Sequence, residues 1–250
     1  MTPEVTAAAA AVAVGGAAAL VHAGPALAGV SPIGMRLTPS LVGRGREDHV
    51  ALTFDDGPDP ASTPAFLAAL DRLGWRATFF VLGTMARQAP GLTAEVAAAG
   101  HEVAVHGDEH RNMLRRMPGA AADDIRRCFD TIAELTGRAP TWFRPPFGIL
   151  SYGALRGARR VGLTTVLWTT WGRDWRQEAT PQTVVDDVMR RYVGGGTVLL
   201  HDSDCESYPG SWNATLGALP MLADELAARQ LTVGPLADHG IRGAASPIGV

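Results

Sequence analysis

The stretch Val50–Asp59 reads VALTFDDGPD, and it predicts a buried strand that delivers two acids at the edge of a sheet. An apolar run leads directly into Asp55 and Asp56, and a Gly-Pro pair then breaks the chain. Neighbouring strand residues point to opposite faces, so both carboxylates can serve one site only if the backbone is distorted where the strand ends. On its own, a DDGP segment is most often a solvated turn, and its function depends on the rest of the chain.

The composition is that of one globular domain, with or without an appendage. The chain has 250 residues, 46% of them hydrophobic, and a net charge of −3. All 22 basic residues are Arg. The absence of Lys excludes a Schiff-base lysine and a Walker-type P-loop. No basic tract is long enough to indicate nucleic-acid binding.

Residues 1–48 are predicted to form an apolar segment followed by a linker. Residues 5–30 are rich in Ala, Gly and Val, which is consistent with a signal peptide, an uncleaved membrane anchor or an Ala-rich soluble stretch. No basic residue precedes this segment and several arginines follow it, which weakens both export interpretations. Residues 31–48 contain repeated Pro and Gly, as a linker does.

The two cysteines, Cys128 and Cys205, are too few for a disulfide framework. Cys128 lies in a predicted helix and is interpreted as a core residue. The spacing leaves open whether the two thiols pair.

Strand and helix patterns alternate from Val50 onward. Apolar, β-branched runs predict strands at Val50–Phe54, Ala77–Leu82, Glu102–His106, Thr141–Phe143, Thr164–Trp168, Thr197–His201 and Leu231–Val233. Helical spacing of apolar residues links Phe66 to Leu73, Ile125 to Leu135 and Val184 to Tyr192. Repeated β–α units predict a parallel sheet, either open or closed into a barrel.

Polar residues follow several of these strands directly. They are Asp55-Asp56, His106, Arg144 and His201-Asp202. Because chemistry in parallel α/β folds gathers at the carboxyl ends of strands, this regularity predicts one site at that edge of the sheet.

The segment HGDEH places His106 and His110 in an H-x-x-x-H pair. An isolated pair of this kind is most often two surface histidines in a polar loop. On a turn of helix, however, the spacing puts both imidazoles on one face, and the Asp pair at another strand end supplies a carboxylate. Two His and one carboxylate leave coordination positions open, as in catalytic zinc sites.

Three later segments complete the candidate site. Arg144 begins R-P-P-F-G after a short strand, where an Arg can brace a carboxylate or simply stabilise a turn. His201 ends another strand and is either a satisfied core histidine or part of the site. Asp174-Trp175 follows the strand that ends at Trp168 by a few residues, and Asp174 could set the protonation state of His201.

Together these segments resemble the polysaccharide deacetylases of the NodB-homology type, carbohydrate esterase family 4. The motifs of that family occur here in order as TFDDGP at Thr53–Pro58, then His106 to His110, Arg144–Gly148, Asp174-Trp175 and Leu199–His201. The resemblance implies an α/β fold, a distorted (β/α)7-type barrel. It places the deacetylase domain at residues 49–235 and leaves residues 236–250 as a C-terminal tail.

The resemblance assigns different roles to the two adjacent acids. It implies that Asp55 is the general base and that Asp56 binds one divalent metal ion together with His106 and His110. Arg144 then orients the base. The implied metal is zinc, with cobalt, nickel or manganese as alternatives.

The resemblance also implies the acid side of the reaction. The backbone N–H of Phe147 stabilises the oxyanion, and His201 protonates the leaving amine with its pKa tuned by Asp174. Trp175 and Leu199 line a pocket for the acetyl methyl group.

Three residues depart from the common family pattern. Gly107 replaces a Ser or Thr in the histidine motif, Phe147 replaces a frequent Tyr, and Trp171 stands where many members have an Asp. These changes concern the loop and the substrate more than the chemistry.

The predicted function is metal-dependent removal of N-acetyl groups from a peptidoglycan- or chitin-like polysaccharide, with release of acetate. The alternatives are an O-acetyl esterase, a hydrolase of small cyclic amides or imides, and a non-catalytic glycan-binding module. The N-acetylated glycan is the expected partner of a monomer that binds no nucleic acid. We expect the domain to face the cell envelope, secreted or associated with the membrane through residues 5–30, with a cytoplasmic location as the alternative.

Overall fold

The computed structural model of the chain describes residues 16–17, 19–26 and 37–241. Within these ranges, all strands belong to one parallel sheet with the order β5-β4-β3-β2-β1-β7-β6, and β8 also pairs with β1. The strands are β1 (His49–Asp55), β2 (Thr78–Val81), β3 (Glu102–Val105), β4 (Trp142–Phe143), β5 (Thr164–Thr165), β6 (Thr170–Trp171), β7 (Thr197–His201) and β8 (Thr232–Gly234). No ladder joins β5 to β6 within the described part, so the barrel is distorted and open at that point, as expected.

Helices cover the outside of the sheet. They are α1 (Thr63–Leu73), α2 (Gly83–Gln88), α3 (Pro90–Ala98), α4 (Pro118–Thr136), α5 (Tyr152–Arg160), α6 (Pro181–Arg190) and α7 (Trp212–Ala228). The apolar spacing predicted α1, α4 and α6, whose inner faces join the main core. The free Cys128 is buried on α4, as expected, and Cys205 is exposed and also free.

Strand β1 organises the sheet because it is buried along its whole length and pairs on both edges. Its carboxyl half pairs with β2 and its amino half with β8, while β7 runs along the other edge. Val50, Leu52 and Phe54 join the core under the helices. Residues alternate between the faces of a strand, so Asp55 points to the other face, toward the barrel interior.

The region predicted as one strand at Thr164–Trp168 divides into two short strands. Strand β5 pairs with β4 and ends at Thr165. Strand β6 begins at Thr170 and pairs with β7 instead. Between them, the Leu167 N–H donates to the Leu41 carbonyl, with an N···O distance of 2.6 Å. A residue from the predicted linker therefore bonds the chain where the barrel is open.

The described ends of the predicted linker and tail pack on the barrel. Val42 is buried, and the Thr197 hydroxyl donates to the Gly43 carbonyl at 2.7 Å. At the other end of the chain, Leu236 and Ile241 join the core cluster inside the barrel. These contacts place residues 38–46 and 236–241 on the folded body.

The predicted apolar segment at residues 5–30 lies largely outside the described residues. Residues 19–26 are helical, and the His22 ring nitrogen lies 3.3 Å from the Leu114 carbonyl oxygen. Among the residues that the structure describes, no helix is both long and apolar enough to cross a membrane.

Candidate active site

The carboxyl ends of four strands converge on one cavity of about 310 Å³. Asp55 ends β1, His106 follows β3, Arg144 follows β4 and His201 ends β7. The cavity is lined by Asp55, Asp56, His106, His110, Phe147, Gly148, Trp168, Trp171, Trp175, Leu199, His201, Glu206 and Ser207. Of the residues predicted for the site, Arg144 and Asp174 lie behind this lining and contact it.

The two adjacent acids both reach the cavity because the backbone turns at Asp56. Asp56 has φ of +80°, a left-handed conformation that Asp tolerates better than most residues. The distortion expected at the strand end is therefore carried by the second acid itself. The next residue must be Gly57, because a Cβ there would clash with the Asp202 carboxylate.

Asp56, His106 and His110 form a group that fits a metal ion. The Oδ1 atom of Asp56 lies 3.4 Å from His106 Nε2 and 3.5 Å from His110 Nε2. One ligand atom from each residue lies within 4.8 Å of the others. Asp56 Oδ1 is buried and has no hydrogen-bond partner in the described structure, an arrangement that costs free energy unless a cation is bound. Carboxylate and imidazole are ligands that divalent transition metals accept.

The protonation states of this group also suit a cation. Burial opposes ionisation of Asp56, but the neighbouring histidines His106, His201 and His110 outweigh it and lower its pKa to about 2. Burial and the neighbouring His106 lower the pKa of His110 to about 4. At neutral pH, Asp56 is therefore ionised and His110 is neutral. The His106 Nδ1 lies 2.9 Å from the Arg144 carbonyl, which places the proton on Nδ1 and leaves a lone pair on Nε2.

Asp55 is held by the fully buried Arg144. The guanidinium donates to Asp55 Oδ1 at 2.7 Å, to the Thr53 hydroxyl at 2.8 Å and to the Leu167 carbonyl at 2.8 Å. It also lies over the Phe80 ring, 4.0 Å from the centroid. The second carboxylate oxygen, Oδ2, lies 3.8 Å from His106 Nε2. Asp55 thus keeps one oxygen bound to Arg144 and turns the other toward the histidines.

His201 forms a close pair with the buried Asp174. The ring Nδ1 lies 2.8 Å from Asp174 Oδ1. Asp174 Oδ2 accepts from the His201 backbone N–H and from the Thr215 hydroxyl, both at 2.7 Å. Burial lowers the pKa of His201, but the charge and hydrogen bond of Asp174 outweigh it and raise the pKa to about 10. His201 is therefore an imidazolium at neutral pH, with Nε2 3.9 Å from Asp56 Oδ2.

Phe147 presents a backbone donor at the rim of the cavity. It has φ of +60°, and its exposed ring packs edge-on against His110, with 4.4 Å between the centroids. Among the described residues, no acceptor bonds the Phe147 N–H, whereas the N–H groups of Gly148 and Ile149 are bonded within the turn. Gly148 is required, because a Cβ there would lie 2.6 Å from the Trp168 ring.

The predicted pocket residues Trp175 and Leu199 line the cavity, and two further tryptophans join them. Trp168 and Trp171 have centroids 5.7 Å apart, and Trp171 lies 5.3 Å from Trp175. Sequence reasoning missed Trp168 as a lining residue and treated Trp171 only as a departure from the family pattern. The signal was the segment WTTWGRDW, in which one tryptophan ends a predicted strand and two more follow it.

The histidine loop is held by an acid that the sequence did not reveal. Asp124 on α4 is buried, and its Oδ2 accepts from the Asp108 N–H at 2.9 Å. Gly107 has φ of +109°, and a Cβ there would lie 3.0 Å from the same oxygen. Arg116 pairs with the other oxygen of Asp124 at 2.9 Å. Asp124 thus anchors the loop at the place where a Ser or Thr side chain is absent.

This fold and site define a hydrolase with a candidate metal centre, a braced carboxylate and a charged histidine in one cavity. The family model for polysaccharide deacetylases matches residues 43–166. The chain is 34% identical over 198 residues to the chitooligosaccharide deacetylase of Bradyrhizobium sp. (strain ANU 289), covering 75% of this chain and 88% of that protein. The chain belongs to the polysaccharide deacetylase family, with NodB homology, as the sequence motifs predicted.

Other relatives differ in length and in activity. The chain is 31% identical over 192 residues to the peptidoglycan-N-acetylglucosamine deacetylase PgdA of Listeria monocytogenes, covering 74% of this chain and only 40% of that protein. The solved Bc1960 peptidoglycan N-acetylglucosamine deacetylase matches with a TM-score of 0.76 and 25% identity, over 86% of this chain and 99% of that one. A pseudoenzyme of the same family from Bacillus anthracis matches with a TM-score of 0.69 and 25% identity. The match covers 76% of this chain and 64% of that one. The fold is thus shared by active and inactive proteins.

Proposed function

We propose that this protein removes N-acetyl groups from amino sugars of a polysaccharide, releasing acetate and a free amine. One observation carries the proposal. A carboxylate braced by Arg144 and an imidazolium braced by Asp174 face the same cavity as the Asp56, His106 and His110 group. A base, an acid and a metal site in one cavity are the groups that metal-assisted hydrolysis of an amide uses.

Asp56, His106 and His110 would hold one divalent metal ion, and we propose zinc. Bound there, the ion would polarise a carbonyl and lower the pKa of water toward ~7. Cobalt, nickel and manganese accept the same ligand set.

Asp55 is the proposed general base. Its Oδ2 takes a proton from the attacking water while Arg144 keeps Oδ1 in place. The oxygen of that water then forms a bond to the acetyl carbon. Because Arg144 is buried and also bonded to Thr53 and Leu167, the position of the carboxylate is determined by the core of the barrel.

His201 is the proposed general acid. Its Nε2–H donates the proton that the departing nitrogen needs when the C–N bond breaks, so water and amide yield acetate and amine. The unbonded N–H of Phe147 is placed to donate to the carbonyl oxygen as negative charge develops there. We assign Trp175 and Leu199 to the acetyl methyl group because both are apolar and line the cavity.

The substrate is proposed to be a chitin-like or peptidoglycan-like glycan, following the names of the relatives. We propose that the domain acts at the cell envelope, where peptidoglycan lies, and that the apolar residues 5–30 serve export or membrane association. Protease digestion of intact cells with a permeabilised wall tests this location. A domain that is digested only after membrane lysis is cytoplasmic.

The decisive experiment is an assay of the zinc-loaded protein against N-acetylglucosamine oligomers, peptidoglycan and an O-acetylated glycan. We expect acetate and free amine in equal amounts from the first two substrates. Acetate without amine, formed only from the ester, would identify an O-acetyl esterase. Binding of the oligomers without acetate release would identify a glycan-binding module, as expected of a pseudoenzyme.

A further inference from the structure

His110 carries a buried ring nitrogen that the site described so far does not explain. Its Nε2 faces Asp56, and its Nδ1 is buried without a hydrogen-bond partner among the described residues. The carboxylate of Glu206 lies close to this nitrogen, with 3.4 Å between Nδ1 and Oε2. His110 thus has one facing acid at each side of its ring.

The other histidine of the site, His106, has the hydrogen-bond acceptor at Nδ1 that His110 lacks. His106 donates from Nδ1 to the Arg144 carbonyl at 2.9 Å, so its Nε2 is the free lone pair. A neutral His110 that offers Nε2 to a cation must likewise carry its proton on Nδ1. A buried N–H without an acceptor loses the hydrogen bond that water would give it, so the structure calls for an acceptor at this nitrogen.

Glu206 is positioned to be that acceptor. It lies in the loop between β7 and α7 and lines the cavity. The loop is anchored beside it, because the Tyr208 N–H donates to the Trp175 carbonyl at 3.0 Å and Ser203 bonds Asp59. The Glu206 side chain is partly exposed and has room to move the few tenths of an ångström that would bring the contact to the usual ~2.9 Å.

Glu206 is not itself a member of the metal group. Its carboxylate oxygen approaches Nδ1 of His110. The other ring nitrogen of His110, Nε2, faces Asp56 and is the atom that would bind a metal ion. The ligand group that the described residues form contains Asp56, His106 and His110 only. Glu206 therefore acts on a cation through His110.

We propose that Glu206 is a positioning residue that accepts the Nδ1–H of His110 and thereby increases the affinity of the site for a divalent cation. The contact holds His110 in the tautomer that presents Nε2 and turns the ring toward Asp56. The carboxylate also makes the imidazole a stronger ligand. This inference rests on the proposed metal-dependent function.

The test is calorimetric titration of the metal-free protein with Zn²⁺ alone. Glu206→Ala should weaken the affinity about 10–100-fold, the usual cost of losing such a partner. Glu206→Gln should recover part of the loss, since its amide oxygen can accept the N–H but carries no charge. Glu178→Ala is the matched control, because Glu178 is an exposed acid outside the cavity lining and should leave the affinity within twofold of the parent.

A second readout separates this role from general loop stability. Nitrogen NMR shifts of the His110 ring should report Nδ1–H in the parent and a mixture of tautomers in Glu206→Ala. Equal zinc affinity and an unchanged tautomer in Glu206→Ala would overturn the inference and leave the proposed function intact. A parent protein that binds no divalent metal would overturn both.

Discussion

Two adjacent carboxylates in this protein have different partners, and this difference predicts different roles. Asp55 is bound to Arg144, while Asp56 Oδ1 is buried without a described hydrogen-bond partner and faces two histidines. Asp55 is therefore already paired with a fixed cation, whereas Oδ1 of Asp56 is left to bind one. Neither partner could be assigned from the DDGP segment alone.

The first prediction separates the two acids by mutation. Asp55→Asn should keep the metal and lose turnover by about 10²–10⁴-fold, because the base is removed while the ligand group is intact. Asp56→Asn should weaken metal affinity, and excess zinc should restore part of the rate. Metal titration beside kinetics on both variants decides the matter. Loss of metal in Asp55→Asn with retention in Asp56→Asn would reverse the assignment.

The second prediction concerns the pH dependence of the reaction. His201 must be protonated to act as the acid, so kcat/KM should fall as the pH rises through the raised pKa of His201, which Asp174 brings to about 10. Asp174→Asn removes the negative charge that raises this pKa and should move the alkaline limb to lower pH. A pH profile of kcat/KM for both proteins measures the shift, and His201→Ala should abolish the limb. An alkaline limb that does not move in Asp174→Asn would exclude His201 as the titrating acid.

At the scale of elements, helix α4 controls the loop that carries both histidines. Asp124 reaches from the helix to the Asp108 N–H and occupies the space beside Gly107. The loop conformation therefore depends on a contact between two elements, and the side chain present in other family members is not needed for it.

The third prediction is that restoring the common family residue at this loop is unfavourable here. Gly107→Ser places a Cβ 3.0 Å from Asp124 at φ of +109° and should destabilise the protein by about 1–3 kcal/mol. Gly91→Ala on α3 is the control, because a Cβ there meets nothing within 4 Å, and helix propensity favours Ala over Gly. Urea unfolding of both variants gives the comparison. Equal effects of the two changes would refute the steric argument.

At the scale of the whole molecule, the folded body extends past the predicted domain limits of residues 49 and 235. Residues 38–46 contact β7 and the segment between β5 and β6, and Leu236 and Ile241 fill the interior of the barrel. His239, in the C-terminal segment, contacts His49 in β1. Both rings are buried, with 2.8 Å between their Nδ1 atoms. Segments that look like connections in the sequence therefore complete the core.

The fourth prediction tests this extension by truncation. A chain that stops after residue 235 should be less stable by several kcal/mol, because each buried Leu or Ile side chain contributes about 1.5–3 kcal/mol. A chain that stops after residue 241 keeps these contacts and is the control. Thermal unfolding of both chains beside the parent measures the difference. If the two truncated chains melt at the same temperature, residues 236–241 do not stabilise the barrel.

The sequence determined the parallel α/β arrangement of this protein and predicted which polar residues meet in one cavity. Strand periodicity and the position of polar residues directly after several strands were sufficient, since parallel strands bring their carboxyl ends to one edge. The sequence analysis did not predict helices α2, α3, α5 and α7. Helix α2 is only six residues long, and α3 and α7 are apolar on most faces. Helix α5 is amphipathic, but its buried face consists of Gly and Ala, which give a weak apolar pattern. The split between β5 and β6 was also missed, because it depends on bonds to Leu41 and to β7.

Only the tertiary structure decided how the site is supported. Three contacts support the site, and they join elements that are distant in the sequence or lie in loops without a repeating pattern. They are Asp124 beside Gly107, Glu206 beside His110, and the packing of Trp168 on Trp171. Such contacts leave no local signal, because an acid on a helix or in a loop has the same sequence pattern whether it faces solvent or a buried nitrogen. The sequence therefore predicts which residues are proposed to carry the chemistry, and the packing of separate elements determines their orientation, charge and partners.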